Sequence, residues 1–221
     1  MPIDLYYNKF SAPSRAAWMT ARQLGLDFNL TSVDLSTGEQ FKPEYIALNP
    51  LHTVPTLVDD GFALWESRAV MQFMCNRYAP DSTLYPKDAK KRALVDRSLY
   101  FDLTFTPQLA EVMMARVLMG TEPAADKLAK LDESLKAINT LIGANRYLTG
   151  DQLTIADLSL LSLTSYIDKG SIDISPYPNY QRWVQTLQQE LPYYDEINNI
   201  PKADWDESLD KYRALLAAKA K

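Results

Sequence analysis

The 221-residue chain is poor in the two side chains most used for metal and redox chemistry: it has one cysteine, Cys75, and one histidine, His52. A single cysteine excludes an internal disulfide framework and any Cys-based metal site. A single histidine excludes a His-metal cluster and any mechanism that needs two imidazoles. No apolar run approaches the roughly 18 residues of a membrane-spanning helix. The start, Met1-Pro2-Ile3-Asp4, lacks the basic and apolar stretches of a secretory signal, so no removed leader is expected. A cationic excess is also missing: 23 Lys and Arg against 28 Asp and Glu leave a formal net charge of −5, which argues against a dedicated nucleic-acid binder. What remains is ordinary for a globular protein, with 47% hydrophobic and 23% charged residues in a length that suits one large domain or two small ones. Any chemistry must come from hydroxyls, carboxylates, backbone amides or a borrowed group.

The pattern changes near residue 80. Before it, short β-like runs alternate with helical ones. Ile3 to Tyr7 reads as a strand, Pro13 to Leu24 as a helix stopped by Gly25, and Phe28 to Leu35 as a second strand. Pro43 to Leu48 gives one or two helical turns. Residues 56–58 and 62–64, joined by Asp59-Asp60-Gly61, make a hairpin signal, and Ser67 to Tyr78 is helical. The order βαβαββα predicts an α/β unit over 1–79. A polar, proline-marked stretch over 80–88 reads as a linker. From 89 to 221 only helical patterns follow: Lys90 to about Gly120, interrupted or kinked at Pro107; Ala124 to Leu141; and Pro178 to Leu191. Thr154-Ile155-Ala156-Asp157 fits a capping box, and the chain closes on an Ala/Lys tail.

Three short stretches carry candidate chemistry. In Asn49-Pro50-Leu51-His52-Thr53-Val54-Pro55, a proline enters a strand and removes one amide donor. An ordinary trans proline at a strand start is the plain reading; a cis Pro55 would turn the Val54 backbone outward. In Trp65-Glu66-Ser67-Arg68, a strand runs straight into a helix, and Ser67 sits at the N-cap position, where amides and the helix dipole favour a carboxylate or phosphate. In Tyr7-Asn8-Lys9-Phe10-Ser11-Ala12-Pro13, a hydroxyl stands just ahead of helix amides and could stabilise an anion. For both serines, simple capping is the competing explanation.

Together these stretches resemble the cytosolic glutathione transferases, most of all the insect Delta class, with Epsilon second. The resemblance covers essentially the whole chain and is sharpest at His-Thr-Val-Pro-Thr-Leu (52–57), Trp-Glu-Ser-Arg (65–68) and Thr-Ile-Ala-Asp-Leu (154–158). It implies a thioredoxin-like N-terminal domain joined to an all-α C-terminal domain, a cytoplasmic homodimer, and glutathione as co-substrate with no metal or other cofactor. The implied activity is conjugation of the glutathione thiolate to small hydrophobic electrophiles. A non-catalytic binder of glutathione or hydrophobic ligands is the alternative on the same fold.

The resemblance also implies roles. Ser11 would hold the sulfur, ahead of Tyr7, which matches the tyrosine of other classes. Val54, before a cis Pro55, would pair with the cysteinyl backbone, while His52 and Gln40 would lie at the glycyl end. Glu66, Ser67 and Arg68 would serve the γ-glutamyl end, and Asp102 would reach across a dimer interface toward the partner's ligand. Phe10, Phe105, Met113, Met114, Val117 and Leu118 would line the electrophile pocket. The sequence departs from the pattern at Lys9-Phe10, where Pro-Gly is usual, at Ser14, where cysteine is usual, and at Gln40, where many Delta members have histidine. The expected consequences are a loop that carries Ser11 differently and a weaker hold on the glycyl carboxylate.

Overall fold

The computed structural model describes residues 3–219. Strand β1 (Ile3–Tyr7) leads through helix α1 (Ala12–Gln23) to β2 (Phe28–Ser32). A single 3₁₀ turn (Glu39–Phe41) and the short α2 (Pro43–Leu48) precede β3 (Thr56–Asp59), β4 (Phe62–Trp65) and α3 (Ser67–Tyr78). The sheet order is β2-β1-β3-β4. β1 pairs parallel with β2, whereas β1 with β3 and β3 with β4 are antiparallel. This is the expected βαβαββα unit.

Helix α1 is buried on nearly every side, because Ala12, Ala16, Ala17 and Ala21 let both the sheet and the second unit approach it. It stops as the sequence predicts. Gly25 takes φ +64°, the Leu26 N–H reaches the Ala21 carbonyl and the Gly25 N–H reaches that of Arg22, completing a Schellman motif.

The second unit is all helical: α4 (Ala89–Val117), α5 (Ala125–Ile142), α6 (Ile155–Leu161), α7 (Thr164–Lys169), α8 (Pro178–Glu190), α9 (Tyr194–Asn198) and α10 (Lys202–Lys219). No helix among the described residues is long and apolar enough to cross a membrane. α4 runs unbroken past Pro107. The proline removes one amide from the helix ladder, but the carbonyl it leaves belongs to exposed Leu103, where solvent can serve it. The capping box forms at α6. Asp157 is fully buried and accepts the Thr154 N–H at 2.9 Å, the Leu148 N–H at 2.7 Å and the Trp183 indole at 2.9 Å. Where the sequence pattern suggests only a closing tail, α10 begins at Lys202 and places Trp205 in a buried position.

Candidate active site

Strand direction assembles the site. β1, β2 and β4 all run toward one edge of the sheet, and β3 starts from that edge. The loop bearing Ser11, the segment containing Gln40, the Val54-Pro55 step and the Glu66-Ser67 junction therefore converge there, beyond the carboxyl ends of the parallel strands where α/β folds bind ligands.

Ser11 is the N-cap of α1, and its Oγ accepts the Ser14 N–H at 3.3 Å. That bond uses a lone pair and leaves the hydroxyl hydrogen free, so capping and anion binding coexist on one side chain. The loop ahead of it folds on Asn8, whose Oδ1 accepts the Phe10 N–H at 3.0 Å and whose carbonyl accepts the Ser11 N–H at 3.0 Å. Buried Arg15 holds the loop from below. It donates to the Lys9 carbonyl at 2.6 Å, the Ser162 carbonyl at 2.7 Å and Asn198 Oδ1 at 3.2 Å. Burial draws its guanidinium down to about 10, still charged at neutral pH. Tyr7 turns its ring edge toward Trp18 at 5.3 Å between centroids.

Lys9 and Phe10 are held by α10. Lys9 Nζ lies 2.5 Å from Asp204 Oδ2, and the Phe10 ring meets Trp205 edge-on at 4.9 Å. Phe10 has no positive φ, so the loop bears the bulkier residue without left-handed strain. A cavity of about 330 Å³ opens here, lined among others by Tyr7, Lys9, Phe10, Asp34, Asp204 and Lys211.

The Val54-Pro55 peptide is cis. Half-buried Val54 directs neither its N–H nor its C=O to another described residue. The turn is braced by Tyr45, which donates to the Thr53 carbonyl at 2.5 Å, and by Asn49, which donates to the same carbonyl at 2.9 Å. His52 is exposed at φ +47° with its ring against Phe41 at 4.9 Å. Gln40 donates to the Leu35 carbonyl at 3.3 Å, and its buried Oε1 has no partner among the described residues.

At α3 the N-cap is Glu66, not Ser67, so the expected cap position shifts by one residue. Glu66 is exposed at φ +67°, ψ +103°, a region that costs a non-glycine residue energy, and it makes no capping side-chain bond. Ser67 is the first helical residue and is buried. The Ser67, Arg68 and Ala69 amides donate to no described residue. Arg68 donates to Ser67 Oγ at 3.0 Å and to Asp102 Oδ2 at 2.6 Å, and Asp102 also takes hydroxyls from Thr106 and Ser159.

Residues 10–77 match the family model described as "Glutathione S-transferase, N-terminal domain", and residues 105–190 match "Glutathione S-transferase, C-terminal domain". Glutathione S-transferase D6 of Drosophila melanogaster is 35% identical over 195 residues, covering 88% of this chain and 91% of the relative. The chain belongs to the glutathione S-transferase family. Among solved structures, a Nilaparvata lugens delta-class glutathione transferase superposes with TM-score 0.84 at 37% identity, covering 98% of this chain and 99% of that one. An epsilon-class enzyme from Musca domestica gives 0.81 at 33%, covering 98% of each chain.

The other candidate residues lie on α4 or at its C-terminal end. Asp102 is 1% exposed, and its carboxylate accepts from Arg68, Thr106 and Ser159 of its own chain. The Arg68 guanidinium lies 2.6 Å from it. Phe105 is 0% exposed and stacks on Phe101 in the core, and Met113 is buried as well, so neither walls an open pocket. Met114, Val117 and Leu118 are half-buried near the end of α4, outside the cavity at Phe10. Charged and hydroxyl side chains line that cavity beside Phe10 and Tyr7. The sequence motifs do not single out Asn8, Tyr166, Asn198, Asp204 or Trp205. For α10 a signal is present: Trp205, Leu209 and Tyr212 have the i, i+4, i+7 spacing of one helical face.

Proposed function

We propose that glutathione lies along this edge and that the Ser11 hydroxyl donates to its sulfur, so that the thiolate attacks a small hydrophobic electrophile. The carrying observation is that Ser11 caps α1 through an accepting bond and keeps its hydrogen to give. Only the thiolate is a good nucleophile. With an ordinary thiol pKa of about 8.5, about 3% is ionised at pH 7; a drop of about two units gives about 75%, at about 2.7 kcal/mol of differential stabilisation. A charge-assisted hydroxyl bond beside a helix N-terminus is of that order.

The remaining positions take complementary parts. The open Val54 backbone pairs with the cysteinyl unit as a short strand beside Pro55. The free amides of α3 and the Ser67 hydroxyl receive the γ-glutamyl carboxylate, exposed Glu66 its ammonium, and Arg68 is kept in place by Asp102. His52 and Gln40 lie toward the glycyl carboxylate. The electrophile meets Phe10 and the half-buried Met114, Val117 and Leu118. Two copies associate as a cytoplasmic homodimer, for which Tyr100, 72% exposed on α4, supplies an aromatic contact; sedimentation showing a monomer at micromolar concentration would overturn this.

Replacing Ser11 with alanine tests the central role. The bound thiol pKa should rise by about one to two units, or about 1.4–2.7 kcal/mol, with glutathione affinity little changed. Full activity in Ser11→Ala together with loss in Tyr7→Phe would transfer the role to Tyr7.

A further inference from the structure

We infer that Tyr166, on α7 of the helical unit, is a positioning residue for the Ser11 hydroxyl; the inference rests on the reading of Ser11 as the sulfur-binding group. A single phenol oxygen touches the backbone on both sides of Ser11. It donates to the Phe10 carbonyl at 3.2 Å and accepts the Ala12 N–H at 3.2 Å. The peptide units entering and leaving Ser11 are thereby pinned to one atom more than 150 residues away in the chain.

Most other backbone groups of the loop have their own partners. The Phe10 and Ser11 amides bond to Asn8, the Lys9 carbonyl to Arg15, and the Ser11 carbonyl accepts the Arg15 N–H at 3.1 Å. Only the Phe10 carbonyl and the Ala12 amide depend on Tyr166. They bracket the Cα from which the catalytic hydroxyl projects. A hydrogen bond weakens steeply as its angle closes, so freeing these two groups loosens the aim of the hydroxyl without removing it. The Tyr166 ring makes a separate contact with the Arg15 guanidinium, which lies 5.9 Å from its centroid. Phenylalanine preserves that packing and deletes only the bridge.

The experiment compares the intact protein with Tyr166→Phe, Ser11→Ala and the double variant. The readouts are the pKa of the bound glutathione thiol, the pH profile of kcat, and affinity for S-methylglutathione, which has no thiol. Tyr166→Phe should raise the bound thiol pKa by about one unit and cut turnover about tenfold below that pKa. Turnover should recover at high pH, and S-methylglutathione should bind within about twofold of the parent. In the Ser11→Ala background the same change should add nothing, because Tyr166 acts only through the serine. As a second route, Ala12→Pro deletes the amide at the first helical position, where proline is tolerated, and should shift the thiol in the same direction. A folded Tyr166→Phe or Ala12→Pro protein with the parent's thiol pKa overturns the inference, as does a full Tyr166 effect in the absence of the Ser11 hydroxyl. An unshifted thiol in Ser11→Ala overturns the serine reading, and the inference with it.

Discussion

Two helix N-termini face the same edge of the sheet, and they are finished in opposite ways. At α1 a serine side chain caps its own helix, so what remains to offer a ligand is one hydroxyl hydrogen. At α3 no side chain caps the helix, the N-cap residue is held at positive φ, and three amides remain open. A capped terminus suits a single charged atom such as a sulfur. An uncapped one suits a carboxylate with two oxygens to satisfy. The supports differ too. The α3 terminus is braced by a partly buried ion pair, Arg68 with Asp102, whereas the α1 loop is braced by scattered groups from the helical unit.

The sharpest way to break this contrast is to remove the brace at α3. Asp102→Ala leaves a largely buried guanidinium unpaired and should cost about 3–5 kcal/mol in chemical denaturation, with glutathione KM rising. A variant as stable as the parent would mean that the pair does not organise the terminus.

Next in size is Ser67→Ala. Its hydroxyl caps nothing but accepts from Arg68 at 3.0 Å, so stability should also fall, by about 1–2 kcal/mol. Losing one charge-assisted bond worth about 1.5–3 kcal/mol should raise the KM for glutathione more than tenfold and leave that of the electrophile alone. An effect confined to the electrophile would reduce Ser67 to packing.

Ser11→Ala should act on thermal unfolding by a different route. Besides its effect on the thiol, it removes a helix cap and should cost about 1 kcal/mol of stability. An unchanged melting temperature in Ser11→Ala would show that this side chain does not cap α1.

The smallest mutational effect is expected at Lys9. Its pair with Asp204 is solvent-exposed on both sides, so Lys9→Ala should cost under about 1 kcal/mol, and less in high salt. A larger, salt-insensitive loss would show that α10 braces the loop electrostatically rather than through Phe10 and Trp205.

Further along α3, burial pushes the Cys75 thiol from 9.0 up to about 12. The folded state therefore holds this proton more tightly than the unfolded chain. The associated stability is intact below about pH 9 and declines as pH rises toward about 12, by up to about 1.4 kcal/mol per pH unit. Thiol labelling at pH 8 should track unfolding; rapid labelling of the native protein would contradict the burial.

Much of the fold is legible in the sequence because its signals are local. The alternation of Ile3 to Tyr7, the Gly25 stop, the Asp59-Asp60-Gly61 turn and the Thr154–Asp157 box each depend on neighbours within a few residues. The family motifs at 52–57 and 65–68 are legible for the same reason: a turn and a strand–helix junction are short-range objects. The burial of Asp102 and Phe105 is not legible in the same way, because the direction of a helical side chain depends on what packs against the helix, and α4 carries apolar residues on several faces. Trp205 escapes a sequence reading although its spacing with Leu209 and Tyr212 is visible, since charged residues flank it and a helical face does not say what it docks on.

By itself, then, the sequence determined which backbone segments turn, cap and stop, and which residue types are present at the edge of the sheet. Tertiary structure alone decided that Tyr166 bridges the two peptide units around Ser11, that Asp102 points inward to Arg68, and that Phe10 rests on Trp205. Contacts of this kind reach partners 34 to 195 residues away in the chain, and no local propensity specifies a contact whose two halves meet only after the helices have packed.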